Sequence, residues 1–264
     1  MVLDQIIEDK KVRLPQHKAR HSFEEVRREA ERLAALPDYG RVARESFFDA
    51  LKKPGLSIIG EFKQASPSLG QIEKTMELSD RIQAYNGCVD AISCLTEEDH
   101  FNGNIDYFQY IRKISTLPML RKDFMIEEYQ FYEAKMIGAD AILLIAAILD
   151  AEEMKAFYQL TRELGMDALV ETHNEKEVEK ALNTGCRIIG VNNRDLRDFT
   201  IRLETTKQLR PYVPADKCFV TESGITGDEN VAYLKGCDVD ACLIGRAFME
   251  TDDPAALAKK WKAL

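Results

Sequence analysis

Long apolar runs are scarce in this chain of 264 residues. None approaches the roughly 20 residues a membrane-spanning helix needs. The longest, 139–149, is interrupted by Asp140 and reads as a strand followed by a turn. An excess of positive charge is also missing. The formal net charge is −9, which argues against a nucleic-acid partner, because that needs a basic face. A local basic pocket for a small anion stays compatible with it. Cysteine is present without a pattern: Cys88, Cys94, Cys186, Cys218, Cys237 and Cys242 contain no Cys-x-x-Cys. Buried free thiols in a reducing cytoplasm are therefore expected, rather than disulfides or a metal centre. No histidine pair stands at zinc-ligand spacing. The first ten residues are amphipathic and charged, not continuously apolar, so no signal peptide is read there.

What is present fits a soluble enzyme-sized globule, 45% apolar and 31% charged. The length fits one large domain over 1–264, and about 250 residues is usual for an eightfold βα barrel. Residues 1–50 read as a helical extension packed on one end of it. Val2, Leu3, Ile6 and Ile7 mark one face of a first helix. Ser22 and Glu25 form a capping box for a second, which runs to about Leu36 and stops at Pro37. A third, shorter helix precedes Pro54-Gly55.

From 56 onward, short apolar runs alternate with helical stretches. The runs are 56–63, 89–95, 119–124, 141–146, 168–171, 187–192, 217–222 and 239–245. Such alternation implies parallel strands joined by right-handed βαβ units. Gly87, Gly138, Gly185 and Gly236 each end a helix before a strand, at separations of 51 (87 to 138), 47 (138 to 185) and 51 (185 to 236). Four double units make eight strands. An open solenoid could carry the same period. Closure fits better, because every strand is apolar and needs cover on both faces.

The polar residues cluster at strand ends, where barrels keep their chemistry. Glu61-Phe62-Lys63 ends the first strand and Arg121-Lys122-Asp123 the third. Glu171-Thr172 ends the fifth, Asn192-Asn193-Arg194 the sixth, Thr221-Glu222-Ser223-Gly224 the seventh and Gly245-Arg246 the eighth. Glu61 and Lys63, two apart on a strand, share a face. Burying both requires that they pair or do chemistry. Ser66-Pro67-Ser68 then breaks the strand and offers donors to an anion. Ser223-Gly224 and Gly245-Arg246 follow the last two strands, where barrels bind phosphate. Each alone reads as an ordinary turn; together they point to phosphate. Lys63 and Lys122 with Glu61 and Glu171 make a set able to donate and accept protons, where a single lysine would read as a structural ion pair. Oxygen ligands would suffice for Mg²⁺, but the lysines oppose a cation. His173 could approach the mouth, yet a lone loop histidine is more often incidental. Asn192 and Arg194 suit a ligand carboxylate or hydroxyl, while Asn193 or Asp195 serve equally as helix caps. Phe101, Phe124, Leu143, Leu196 and Ile244 supply apolar surface near the mouth, with core packing the default for any one of them.

These pieces resemble the indole-3-glycerol phosphate synthase family. The matching stretches are Glu61-Phe62-Lys63 with Ser66-Pro67-Ser68, Leu95-Thr96 to Phe101-x-Gly103, Arg121-Lys122-Asp123-Phe124, Leu169-Val170-Glu171, Gly190-Val191-Asn192-Asn193-Arg194-Asp195-Leu196, Glu222-Ser223-Gly224-Ile225 and Ile244-Gly245. They span 56–249 in the family's order, and the helical extension matches too. The resemblance implies a (β/α)8 TIM barrel and a carboxy-lyase of tryptophan biosynthesis. Without a cofactor or metal it closes the ring of 1-(2-carboxyphenylamino)-1-deoxyribulose 5-phosphate, releasing carbon dioxide and water. It implies Lys122 as general acid. Lys63 would hold the carboxylate or act as acid for dehydration. Glu171 and Glu61 would stabilise the cationic intermediate and take a proton, with Asn192 and Ser223 completing the catalytic set. Asn192 and Arg194 would orient substrate; Ser66, Ser223, Gly224, Gly245 and Arg246 would cradle phosphate. Gln64 and Leu69 stand where basic residues are frequent in the family, Asn104 where Ser is usual, and Arg246 where a small or acidic residue is usual.

Two other readings of the residues stay open. One is a Schiff-base aldolase on a phosphosugar, with Lys63 or Lys122 as nucleophile. The other is a catalytically idle barrel that binds a phosphorylated metabolite. A monomer is expected. No fused second enzyme is expected either, because the chain ends soon after its eighth unit.

Overall fold

A computed structural model describes residues 2–36, 46–66, 70–72, 75–195 and 197–264, with Ser66 described in its backbone only. The Pro37 helix stop, Pro67, Ser68, Leu69, Leu196 and the Ser66 side chain lie outside the described residues. Eight parallel strands form a closed barrel. They are β1 (Ser57–Phe62), β2 (Ala91–Leu95), β3 (Met119–Lys122), β4 (Ala141–Ile145), β5 (Asp167–Thr172), β6 (Ile188–Asn192), β7 (Cys218–Glu222) and β8 (Ala241–Ile244). The ring closes because β1 pairs with both β2 and β8, as Glu61 opposite Ser93 and Ser57 opposite Ala241. All eight expected strands are present, each within a few residues of its expected bounds. The open solenoid is thereby excluded.

Strand alternation sorts side chains into two layers. Ile59, Ala91, Leu120, Leu143, Leu169, Ile188, Val220 and Leu243 fill the barrel interior. Ile58, Ile92, Met119, Ile142, Val170, Ile189, Phe219 and Cys242 face the surrounding helices. Those are α4 (Leu78–Asn86), α5 (Ile105–Ile114), α6 (Glu128–Met136), α7 (Ala151–Glu163), α8 (Glu175–Asn183), α9 (Glu204–Leu209), α10 (Asp228–Lys235), α11 (Arg246–Glu250) and α12 (Pro254–Ala263). The four junction glycines do follow helices, but by two backbones. Gly138 and Gly185 take φ of 88° and 79°. Gly87 and Gly236 stay right-handed, and Asp238 supplies the left-handed turn after Gly236.

The extension covers both ends, not one. Helix α1 (Val2–Arg20) lies across the mouth, and Pro15 sits inside it. Its buried Lys10 pairs with buried Asp123 at 2.7 Å. His17 reaches Glu133 of α6 at 3.2 Å. Helix α2 (Phe23–Ala34) packs on α6, with Phe23 edge-on to Tyr132. Half of the expected capping box forms there: the Ser22 hydroxyl accepts from the Glu25 N–H, while the Glu25 carboxylate faces His21. Helix α3 (Phe47–Leu51) closes the floor, where fully buried Phe47 and Leu51 meet the interior layer. The Phe48 N–H donates to Asp167 at the start of β5, and Lys52 pairs with Asp240 just before β8.

Candidate active site

Every second residue of a strand faces inward, so the C-terminal ends of β1, β3, β5, β6, β7 and β8 aim one polar side chain each, or a glycine, at the mouth. Lys63 Nζ lies 2.8 Å from Glu61 Oε1, the pairing expected of two residues on one face. Lys122 Nζ lies 3.1 Å from Glu171 Oε2 and 3.0 Å from Glu222 Oε2. The two ammonium groups and three carboxylates open onto one pocket of about 290 Å³. Asn192, Arg194, Ser223, Gly224, Gly245 and Arg246 line it as well. So do Phe101, Phe124, Leu143 and Ile244, the two phenyl rings 6.2 Å apart between centroids. Every site residue singled out from sequence and described here therefore reaches the same pocket. The Leu196 assignment and the Ser66 side chain fall outside the described residues.

Glycine makes room for the charged groups. Gly245 lies opposite Glu61 across the β1–β8 seam, and a Cβ there would sit 2.7 Å from Lys63 Nζ. Gly190 on β6 does the same for Glu222, since its Cβ would lie 2.7 Å from Glu222 Oε1. Ser223 and Gly224 are both left-handed, with φ of 69° and 80°. Gly224 packs its α-carbon under Leu203, where a Cβ would be only 2.9 Å from Leu203 Cδ2. That turn brings Ser223, Gly224, Ile225 and Thr226 to the pocket lining. The Ser223 carbonyl is held by Asn193 Nδ2 at 3.2 Å.

Burial and charge set the protonation of the group. Burial would lower the Lys122 ammonium, but Glu171, Glu222 and Glu61 outweigh it and hold the pKa above the usual range. Burial pushes the Glu222 carboxyl up to about 7; Glu171 adds to the rise and Lys122 opposes it. Burial would raise Glu171 likewise, but Lys122 and His173, with hydrogen bonding from Lys122 and Asn192, bring it below the ordinary value. Burial also lowers Arg194, with Glu61 opposing. Lys122 is thus held as a cation between Glu171, whose proton affinity is lowered, and Glu222, whose proton affinity is raised.

Four features depart from the sequence reading. Of the trio Arg121-Lys122-Asp123, only Lys122 brings its charge to the mouth. Arg121 turns outward to Glu133 at 2.8 Å, and Asp123 is engaged by Lys10 and Arg121. Glu222 joins the charged set, although only its strand-end position signalled it. Inward alternation from Val220 would have found it. Leu3 and Ile6 of α1 form part of the pocket wall; nothing local in the sequence points to that. His173 is not incidental: its Nε2 lies 3.5 Å from Glu171 Oε1. The capping expected of Asn193 or Asp195 is met by Asn193. Asn193 turns away from the pocket and accepts from the backbone N–H and hydroxyl of Thr206 near the start of α9, while Asp195 holds Arg197.

The indole-3-glycerol phosphate synthase family model matches residues 3–261. The indole-3-glycerol phosphate synthase of Lachnospira eligens is 48% identical, over 99% of this chain and 97% of that one. That of Clostridium acetobutylicum is 43% identical, over 96% and 94%. Among solved structures, 3-hexulose-6-phosphate synthase from Salmonella typhimurium superposes with a TM-score of 0.62 at 14% identity, covering 79% of this chain and 97% of that one. Thiamine phosphate pyrophosphorylase from Pyrococcus furiosus gives 0.56 at 14%, covering 79% and 94%. At such identities these two share the barrel and no more. With a match along nearly its whole length, the chain belongs to the indole-3-glycerol phosphate synthase family.

Proposed function

We propose that this pocket closes the indole ring of 1-(2-carboxyphenylamino)-1-deoxyribulose 5-phosphate, with Lys122 as the general acid. Family membership makes the protein a carboxy-lyase of tryptophan biosynthesis. The observation that carries the residue roles is the ammonium of Lys122 held within 3.1 Å of two buried carboxylates. It protonates the substrate carbonyl as the anthranilate ring carbon attacks. Glu222, pushed up to about 7, returns a proton to it. Glu171 and Glu61 stabilise the cationic intermediate before carbon dioxide leaves, and one of them takes the proton released on dehydration. Lys63, paired to Glu61, holds the substrate carboxylate or serves as acid for the loss of water. Asn192 and Arg194 orient the substrate. Phe101, Phe124, Leu143 and Ile244, with Leu196, enclose its aromatic ring. Ser66, Ser223, Gly224, Gly245 and Arg246 take the phosphate, a role supported by the left-handed Ser223-Gly224 turn at the rim. The helical segment and the barrel act as one unit over 1–264, because Leu3 and Ile6 complete the wall. The enzyme works as a monomer in the cytoplasm; six unpaired cysteines support a reducing compartment.

A Schiff-base lysine needs a depressed pKa, and Lys122 is held the other way, which disfavours Lys122 as the nucleophile of the aldolase reading. Turnover is followed by indole fluorescence on the carboxyphenylamino substrate. Lys122→Ala is expected to lower kcat by about 10²–10⁴-fold while substrate binding changes far less. Unchanged kcat would remove the assignment, and a borohydride-trapped adduct would revive the aldolase.

A further inference from the structure

His173 stands two residues beyond Glu171, where the chain leaves β5. Its ring lies behind the pocket wall, with 15% of the side chain exposed. Nδ1 is 3.0 Å from Glu177 Oε2, and the His173 backbone N–H donates to the same oxygen at 2.8 Å. Asn174 Nδ2 donates to the other Glu177 oxygen at 2.6 Å. Glu177 is therefore fixed by three donors on the turn that opens α8. On the far side of the ring, Nε2 is buried, is turned to Glu171 Oε1 at 3.5 Å, and has no hydrogen-bond partner among the described residues.

A carboxylate can only accept, so Nδ1 must carry a proton. A neutral ring would then present a bare Nε2 lone pair to a second carboxylate. An imidazolium instead donates to Glu177 and presents its positive charge to Glu171. We propose that His173 is a positioning residue for the reaction: strung between Glu177 and Glu171 as an imidazolium, it restrains Glu171 Oε1 while Lys122 restrains Oε2. The proposal rests on Glu171 working in the reaction as described above. Glu171 is then clasped between two cations, one in the pocket and one behind it, which fixes its plane and keeps it ionised. The groups acting on the ring are Glu171 and Glu177, with Glu222 across the mouth and Asp195 on the neighbouring loop. Burial disfavours the ring's charge, and the hydrogen bond that the ring donates to Glu177, with the charges of Glu171, Glu177 and Glu222, outweighs it, raising the pKa. The carboxylate responds in the opposite sense.

The test uses the full-length enzyme. His173→Asn keeps a short donor for Glu177 but removes the cation behind Glu171. Without that cation the Glu171 pKa rises. The acid limb of kcat is then expected to move up by about half to one pH unit, a roughly 3- to 10-fold loss on that limb, with KM nearly unchanged. A second arm needs no turnover. In histidine-labelled protein, NMR titration is expected to place His173 above the ordinary histidine range, and Glu171→Gln is expected to lower it, because the coupling is reciprocal. A pH profile superimposable on the parent's, or a His173 titration indifferent to Glu171→Gln, overturns the proposal. If the parent itself does not turn over the carboxyphenylamino substrate, the functional reading fails, while the NMR arm still decides whether the two side chains are coupled. If His173→Asn does not fold, that arm decides alone.

Discussion

A methyl group added at position 190 would lie 2.7 Å from Glu222 Oε1 and 3.0 Å from Leu169 Cδ1. The carboxylate would have to swing away from Lys122. Gly190→Ala is therefore expected to lower kcat by about 10- to 100-fold, as misplacement of a reacting group by about 1 Å does, while the melting temperature falls only slightly. Steady-state kinetics beside calorimetry checks the split. Glu222 itself sets a pH expectation. Below about 7 it is mostly protonated and able to reload Lys122; above, that supply is lost. A limb of kcat near pH 7 is expected to disappear in Glu222→Gln, and a pH–rate profile of the two proteins measures it. At this scale the sequence was informative in part. Glu61 and Lys63 announce their pairing by two-residue spacing, and Lys122 by ending a strand. The roles of Gly190 and Gly245 were not legible, because each acts by an absence of volume facing a residue on another strand.

Helix α1 shows how an element far from the barrel in sequence enters the site. Lys10, 1% exposed, and Asp123, 2% exposed, form a pair buried beside the residue that carries the general acid. Burial would raise Asp123, but Lys10 and Arg121 with hydrogen bonds from Lys10 and Thr96 hold it at about 2. Lys10→Met leaves that charge short of one partner. The expected loss is about 3 kcal/mol of unfolding free energy, read by urea titration. KM should rise more than kcat falls, because Leu3 and Ile6 on the same helix line the pocket. His17 sets the pH dependence of the same docking. Its ring is raised to about 9, first by the hydrogen bond with Glu133 and then by that with Glu98. A raised pKa means that the stabilisation is complete below the ordinary value of 6.5 and is lost as pH climbs to about 9. Thermal melts at pH 6.5 and 9 are expected to show that loss in the parent and much less of it in His17→Gln. The amphipathic start of α1 was readable from Val2, Leu3, Ile6 and Ile7. The burial of Lys10 and His17 was not, since their partners lie 81 or more positions away.

Across the whole molecule the two ends of the barrel do different work. The mouth carries the charged set, and the floor is sealed by α3, with Phe47 and Leu51 fully buried. Leu51→Ala is expected to cost about 2–4 kcal/mol of stability and to leave kcat unchanged below the melting transition, which denaturation and kinetics on the same sample would establish. Local patterning along the chain already fixed the number of strands, their order, the parallel connections and the rim on which Glu61, Lys63, Lys122, Glu171, Asn192 and Ser223 would meet. It could do so because these depend on local periodicity, on glycine at helix ends and on the alternation of faces, all properties of neighbouring residues. Tertiary structure alone decided that Glu222 shares Lys122 with Glu171 and that Arg121 turns outward to Glu133. It alone set His173 behind Glu171, and spread the N-terminal helices over both ends of the barrel. The first of these follows from ring closure, which brings side chains from different strands within about 3 Å and moves their proton affinities by burial and charge; the others follow from how helices and loops pack on the closed barrel, which local patterning does not encode.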